Sequence, residues 1–218
     1  EVVLAIVAPG QGAQTPGFLS PWLEVPTFAT RLAWLSAVTG LDLAHYGTEA
    51  DAETIRDTAI AQPLLVAAGL LAAEALTGPG LPFSGADVAA GHSVGEITAA
   101  AGVGVLSASD AMVFVRERAQ GMAEASALTP TTMAAVLRGE PAEVLATIEA
   151  VGATAANNNG SGQVVAAGTV EQIEALKANP PAKARVIPLS VAGAFHTHHM
   201  EPGRVRVATT PGAAPARP

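Results

Sequence analysis

The sequence predicts an α/β protein, with a core built on a parallel sheet and a smaller α+β unit after it. Three observations carry this. An apolar run at 88–90 enters Gly91-His92-Ser93-Val94-Gly95 and leaves into helix-forming residues, which reads as strand, sharp turn, helix. An earlier apolar run, 2–8, stops at Pro9-Gly10 and has the look of a buried strand. From Thr131 onward short apolar runs alternate with helical ones, a change of texture within one chain.

The bulk properties bound the rest. The chain has 218 residues, enough for one large domain or a core with a subdomain. Half of them are hydrophobic and only 4% aromatic, so the core is expected to be aliphatic. No cysteine is present, which removes disulfides, thiolate metal sites and a thiol nucleophile. A net charge of −8 argues against nucleic acid as partner. The most apolar stretch, 60–76, is broken by Gln62, Pro63 and Glu74, so no membrane span is expected. The first residues lack the basic region and cleavage site of a signal peptide, and a soluble cytoplasmic protein is the expectation.

Taken in order, residues 2–8 form the first strand, and Gly10-Gln11-Gly12-Ala13-Gln14 a loop whose small residues permit close approach of a ligand. That loop lacks both the G-K-[ST] and the G-x-G-x-x-G phosphate patterns. Helices are expected at 27–37, 50–57 and 59–76, the last with Pro63 near its first turn and buried against the sheet. A Pro/Gly loop at 78–85 leads to the strand before Ser93, and a helix covers 96–101. The next helix, 109–125, places Met112, Val115, Ala119 and Met122 on one face. Arg116 and Arg118 point about 200° apart on it, so only one can face a site and the other reads as a solvated charge.

Strands at 132–137, 153–156, 163–167 and 184–189 alternate with helices at 141–150 and 170–178. The order β-α-β-β-α-β is the ferredoxin-like arrangement. The expected domains are therefore a main α/β core at 1–130, a ferredoxin-like subdomain at 131–189, a return to the core at 190–202, and a Pro/Ala/Arg-rich disordered tail at 203–218.

The chemistry centres on G-x-S-x-G at 91–95. In a strand–turn–helix setting it makes a nucleophile elbow, whose glycines let strand and helix pass closely. Ser93 Oγ then projects at a helix N-terminus, where the Val94 N–H points at charge developing on a bound carbonyl oxygen. A serine hydroxyl needs an imidazole to take its proton. Three of the five histidines lie in Val191-Ala-Gly-Ala-Phe-His-Thr-His-His-Met200, and His196 is the candidate base. His196 and His198 share a strand face, but no carboxylate or cysteine is spaced to complete a metal site, so no metal is expected. With the Gln11 loop able to supply a second oxyanion donor, these groups suggest acyl transfer.

PGQGAQ at 9–14, Gln62-Pro63-Leu64, GHSVGE at 91–96, Arg118, NNNGSGQVVAAG at 157–168 and AFHTHHM at 194–200 stand in the order and spacing of the malonyl-CoA:acyl-carrier-protein transacylases. The chain resembles that family, which serves type II fatty acid and polyketide synthesis, from Val2 to about Pro202. The resemblance implies a hydrolase-like parallel sheet core. It implies Ser93 as the malonylated nucleophile, His196 as base and then acid, and the Gln11 and Val94 N–H groups as oxyanion hole. Arg118 would grip the malonyl carboxylate, which suits a planar fork better than an ammonium. Gln62, Asn157 and Asn159 would line or support the site. Phe195 matches the form associated with malonyl over methylmalonyl, a discrimination of about 1–3 kcal/mol.

The resemblance further implies malonyl-CoA and acyl carrier protein as partners, no metal or redox cofactor, and a monomer. An acidic carrier would dock on local cations, with Lys177, Lys183 and Arg185 as candidates. The family continues past the histidine motif, and the segment from 203 reads as a truncation or out-of-frame ending. That would leave apolar faces of 59–76 and 109–125 uncovered. Two other readings stay open: a serine esterase or thioesterase that has no need of Arg118, and an inactive remnant that acts only by binding a partner.

Overall fold

Strand β1 (Ala5–Ala8) pairs in parallel with β2 (Val88–Gly91), in register from Ala5 opposite Val88 to Ala8 opposite Gly91. The protein is described by a computed structural model over residues 2–78, 80, 83–191 and 193–209. It divides into two units, one running up to Gln120 and resuming at Val207, the other Gly121–Arg206.

A parallel pair needs a long crossover. In the first unit this is helical: α1 (Ser20–Leu23), α2 (Pro26–Thr39), α3 (Leu43–Thr48), a 3-10 turn (Thr54–Arg56) and α4 (Thr58–Thr77). After β2 come α5 (Gly95–Gly102) and α6 (Ala108–Leu128). The core of this unit is aliphatic as expected, with Leu32, Leu35, Leu43, Leu64, Met112 and Val115 all buried. Helix α4 is the one helix among the described residues long and apolar enough to cross a bilayer, and 56% of its apolar window is buried inside the protein.

Several expectations change here. The helix expected at 50–57 contracts to the 3-10 turn, because the Asp51 carboxylate accepts from Thr54 N–H at 2.8 Å and the Asp57 carboxylate from Ala59 N–H at 2.8 Å. Those side chains occupy the donors that would have continued a helix. Helix α4 starts at Thr58, so Pro63 lies in its second turn rather than its first. The first strand starts at Ala5 instead of Val2, and it is not buried: Val7 is 73% exposed, and only Ala8 of the strand is buried. Arg116 is no solvated charge, since it pairs with the buried Glu117 at 2.9 Å and donates to the Thr39 carbonyl.

The second unit is a four-stranded antiparallel sheet, ordered β4 (Thr154–Asn158), β5 (Gln163–Thr169), β3 (Thr131–Leu137), β6 (Arg185–Pro188). Helices α7 (Pro141–Ala150) and α8 (Val170–Ala178) supply Val144, Ile148, Ile173 and Leu176 to a core shared with Ala134 and Val136. The β-α-β-β-α-β order and the central β5–β3 pair are the ferredoxin-like arrangement. Met133, Val165 and Ala167 form a second cluster with Met122, Ala194 and Phe195. The described residues of 190–202, the segment expected as a return to the first core, fall in this unit, where Ala194 N–H donates to Thr131 Oγ1 at 2.9 Å.

The tail expected from 203 is helical over its described part, in α9 (Glu201–Thr209). Gly203 lies against the backbone of Gly121, Arg206 pairs with Glu124 at 2.7 Å, and Arg204 pairs with Glu201 one turn away. Composition hid this, because the helix is held by glycine-to-glycine approach and ion pairs instead of an apolar stripe. Residues 210–218 lie outside the described residues.

Candidate active site

The turn after β2 is where the sheet hands over to a helix. His92 N–H donates to the Ala8 carbonyl at 3.0 Å, tying the turn to β1. Ser93 follows with φ +54°, a left-handed conformation that costs a side-chain-bearing residue. Val94 is the N-cap residue of α5 and is buried. A Cβ on Gly91 would lie 2.1 Å from the Gly95 carbonyl carbon, and one on Gly95 would lie 2.3 Å from the Ala8 carbonyl oxygen. Both glycines are therefore required by contact, which is the sharp strand-to-helix turn that G-x-S-x-G describes. The N–H groups of Gly95, Glu96 and Ile97 at the start of α5 donate to the carbonyls of His92, Ser93 and Val94, and the helix dipole favours negative charge at this end.

Arg118 comes to this turn from α6. Its Nη2 donates to Ser93 Oγ at 3.4 Å, and its Nη1 donates to Gln62 Oε1 at 2.5 Å. Gln62, 1% exposed, donates through Nε2 to Gln11 Oε1 at 3.2 Å. Gln11 Nε2 in turn donates to Thr58 Oγ1 at 3.2 Å and to the Arg56 carbonyl at 3.4 Å. The loop is braced further by Gln14, which accepts from Gly12 N–H and donates to the Ile55 carbonyl. Burial draws the Arg118 guanidinium below its ordinary pKa, and the Glu96 carboxylate opposes that shift. A half-buried cation thus stands beside a strained hydroxyl at a helix N-terminus.

The remaining candidates belong to the second unit. His196 has φ +59° and an exposed side chain. Before it, Phe195 is buried. After it, Thr197 Oγ1 donates to the Ala194 carbonyl at 2.6 Å and accepts from His199 N–H at 3.2 Å. The His198 and His199 rings lie 4.1 Å apart, and burial with the neighbouring His198 pulls His199 below the usual histidine range. Asn157 sits in β4 opposite Val165, beside a bulge. Asn159 closes the hairpin, through Asn159 N–H to the Gln163 carbonyl and Nδ2 to Gln163 Oε1. Lys177 pairs with Glu174, while Lys183 and Arg185 are exposed. Among the described residues no group of histidine and acidic side chains is arranged to hold a metal.

Of the residues singled out in the sequence, the first unit brings Ser93, Arg118, Gln62 and Gln11 into one hydrogen-bonded group, with Val94 next to Ser93 at the N-cap of α5. Reading the sequence missed Thr58 and the Arg56 carbonyl. One signal was available: Thr58 and Gln62 are four apart on a helix and so share a face.

Residues 6–212 match a family model described as acyl transferase domain. A malonyl CoA-acyl carrier protein transacylase of Mycobacterium tuberculosis (strain ATCC 25618 / H37Rv) is 51% identical over 201 residues, 92% of this chain and 66% of its own length. One of Haemophilus influenzae is 33% identical, over 94% of this chain and 68% of its own. The crystal structure of MCAT from Mycobacterium tuberculosis superposes with a TM-score of 0.90 at 50% identity, covering 95% of this chain and 68% of that one. A type II PKS acyl-carrier protein complex with its malonyl-transacylase gives 0.85 at 29% identity, covering 95% and 69%. The chain thus spans about two thirds of the length of the proteins it resembles.

Proposed function

Because this chain belongs to the acyl transferase domain family, we propose that it transfers a malonyl group from coenzyme A to the phosphopantetheine thiol of an acyl carrier protein through an ester on Ser93. Relatives carrying the name of that reaction support the reading, as does a relative complexed with an acyl carrier protein. The observation that carries it is the Arg118 guanidinium, 3.4 Å from Ser93 Oγ and held by a neutral amide. An acyl group that bears a free carboxylate is the substrate such a cation selects.

In the proposed reaction His196 takes the Ser93 proton as Oγ attacks the thioester carbonyl. The Val94 and Gln11 N–H groups stabilise the tetrahedral oxyanion. Collapse breaks the carbon–sulfur bond, and His196 returns the proton to the departing thiolate. The carrier thiol then repeats the sequence in reverse on the Ser93 ester. Phe195 limits the bulk beside the acyl α-carbon, with Asn157 and Asn159 as supporting residues. Lys177, Lys183 and Arg185 are the proposed carrier contacts. We place the reaction in the cytoplasm, carried out by a single copy of the chain.

Intact-mass measurement after exposure to malonyl-CoA or acetyl-CoA tests this. Malonyl-CoA is expected to load Ser93, and Arg118→Ala to cut that loading about 30- to 100-fold relative to acetyl loading. Equal loading by both thioesters overturns the assignment in favour of a plain serine esterase. A folded sample that gains no mass overturns it in favour of a binding-only protein.

A further inference from the structure

We infer that Thr58 and the Arg56 carbonyl orient Arg118 through a one-way relay of two glutamine amides, which makes Thr58 a positioning residue for recognition of an anionic acyl group. The relay itself rests on geometry within the first unit, and its role in recognition rests on the function proposed above.

The direction of the relay follows from its ends. A backbone carbonyl only accepts hydrogen bonds, and a guanidinium only donates them. Gln11 Nε2 therefore faces Arg56 O at 3.4 Å and Thr58 Oγ1 at 3.2 Å, which turns Gln11 Oε1 toward Gln62. Gln62 must then donate through Nε2, at 3.2 Å, and that leaves its Oε1 to accept from Arg118 Nη1. Flipping either amide sets donor against donor or acceptor against acceptor. Gln62 is 1% exposed, so water is poorly placed to repair a reversed or missing bond, and the cost of an unmade bond falls on the whole chain. The guanidinium is thereby held with Nη2 toward Ser93 Oγ.

The relay is also neutral from end to end. A carboxylate at position 62 would orient Arg118 equally well, but it would cancel the charge that an incoming carboxylate needs. Two amides fix the fork without adding a further carboxylate to the one, Glu96, that already acts on its charge. Thr58 and Gln62 share a face of α4 one turn apart, so the start of that helix sets both the last acceptor and the residue that holds the cation.

The test uses the full chain labelled with 15N-arginine, with the Arg118 signals assigned by their loss in Arg118→Lys. Separate Nη1 and Nη2 resonances, the mark of hindered rotation, are expected for the unmodified chain and for Thr58→Ser. They are expected to merge in Thr58→Val, which keeps the shape and removes the nearer of the two acceptors of Gln11 Nε2, and in Gln11→Met, which cuts the relay elsewhere. The same Thr58→Val change should lower malonyl loading of Ser93 relative to acetyl loading about 3- to 10-fold, with recovery in Thr58→Ser. Gln62→Glu should keep the resonances separate while malonyl selectivity falls. Hindered rotation that survives both Thr58→Val and Gln11→Met overturns the relay. Merged resonances with unchanged selectivity overturn its role in recognition. If the unmodified chain forms no Ser93 ester, the proposed reaction fails, and the rotation measurement still decides the relay. Thermal unfolding of each variant confirms that folded chains are compared.

Discussion

At the scale of single residues, both proposed catalytic side chains are held in backbone conformations that L-residues avoid: Ser93 at φ +54° and His196 at φ +59°. Strain of this kind persists where the surroundings over-determine it. At Ser93 the determinants are visible, since Gly91 and Gly95 leave no room for the turn to relax. The left-handed conformation costs about 1–2 kcal/mol for a residue with a Cβ. Replacing it with glycine relieves that cost, and the greater freedom of glycine in the unfolded chain takes back about 0.4–1 kcal/mol. Ser93→Gly should therefore raise the melting temperature by about 1–4 °C over Ser93→Ala while both abolish ester formation. A melting temperature for Ser93→Gly below that of Ser93→Ala would mean the turn is unstrained, because only the unfolded-chain cost of glycine would remain.

At the scale of elements, the spacing between β1 and α5 is set by the absence of one methyl group. A Cβ on Gly95 would lie 2.3 Å from the Ala8 carbonyl oxygen and 2.7 Å from that of Pro9. Alanine is the better helix former by about 1 kcal/mol, so propensity alone favours Gly95→Ala. Overpacking against backbone costs more, so Gly95→Ala is expected to destabilise the chain by about 2–3 kcal/mol in urea unfolding. A neutral or stabilising result would show that β1 and α5 can part freely.

The same contrast between local signal and tertiary contact decides what was readable beforehand. Helices α7 and α8 stand where the sequence puts them, because Pro141 opens one and Thr169 with Gln172 forms a capping box on the other. Helix α3 went unread, being six residues without a period of its own, capped by Asp42 and buried through Leu43 and Gly47. Strand β1 was misjudged as buried because an apolar run reports what a strand could bury, and not what stands beside it. In the candidate site, Ser93, Gln62, Gln11 and Arg118 were each legible as motif residues. Their linkage was not, since Gln62 meets Gln11 and Arg118 across 51 and 56 residues of chain. Amide and guanidinium partners at such separations leave no periodic trace in one sequence.

At the scale of the whole molecule, charge and apolar exposure oppose one another. The chain carries a net charge of −8 near neutral pH with a pI of about 5.0. On β1, β2 and the residues before them, Val2, Val3, Leu4, Val7 and Val88 are at least half exposed. Like charge keeps copies apart at neutral pH, whereas an exposed apolar edge strand is a template for pairing. As pH falls toward the pI the carboxylates take up protons, the net charge approaches zero, and the repulsion is lost before the apolar surface changes. Sedimentation velocity is therefore expected to show single copies at pH 7 and association near pH 5. Val7→Lys should suppress that association at little cost to stability, because Val7 is 73% exposed and a cation on an edge strand blocks pairing. Association near pH 5 that Val7→Lys leaves untouched would move the sticking surface away from β1.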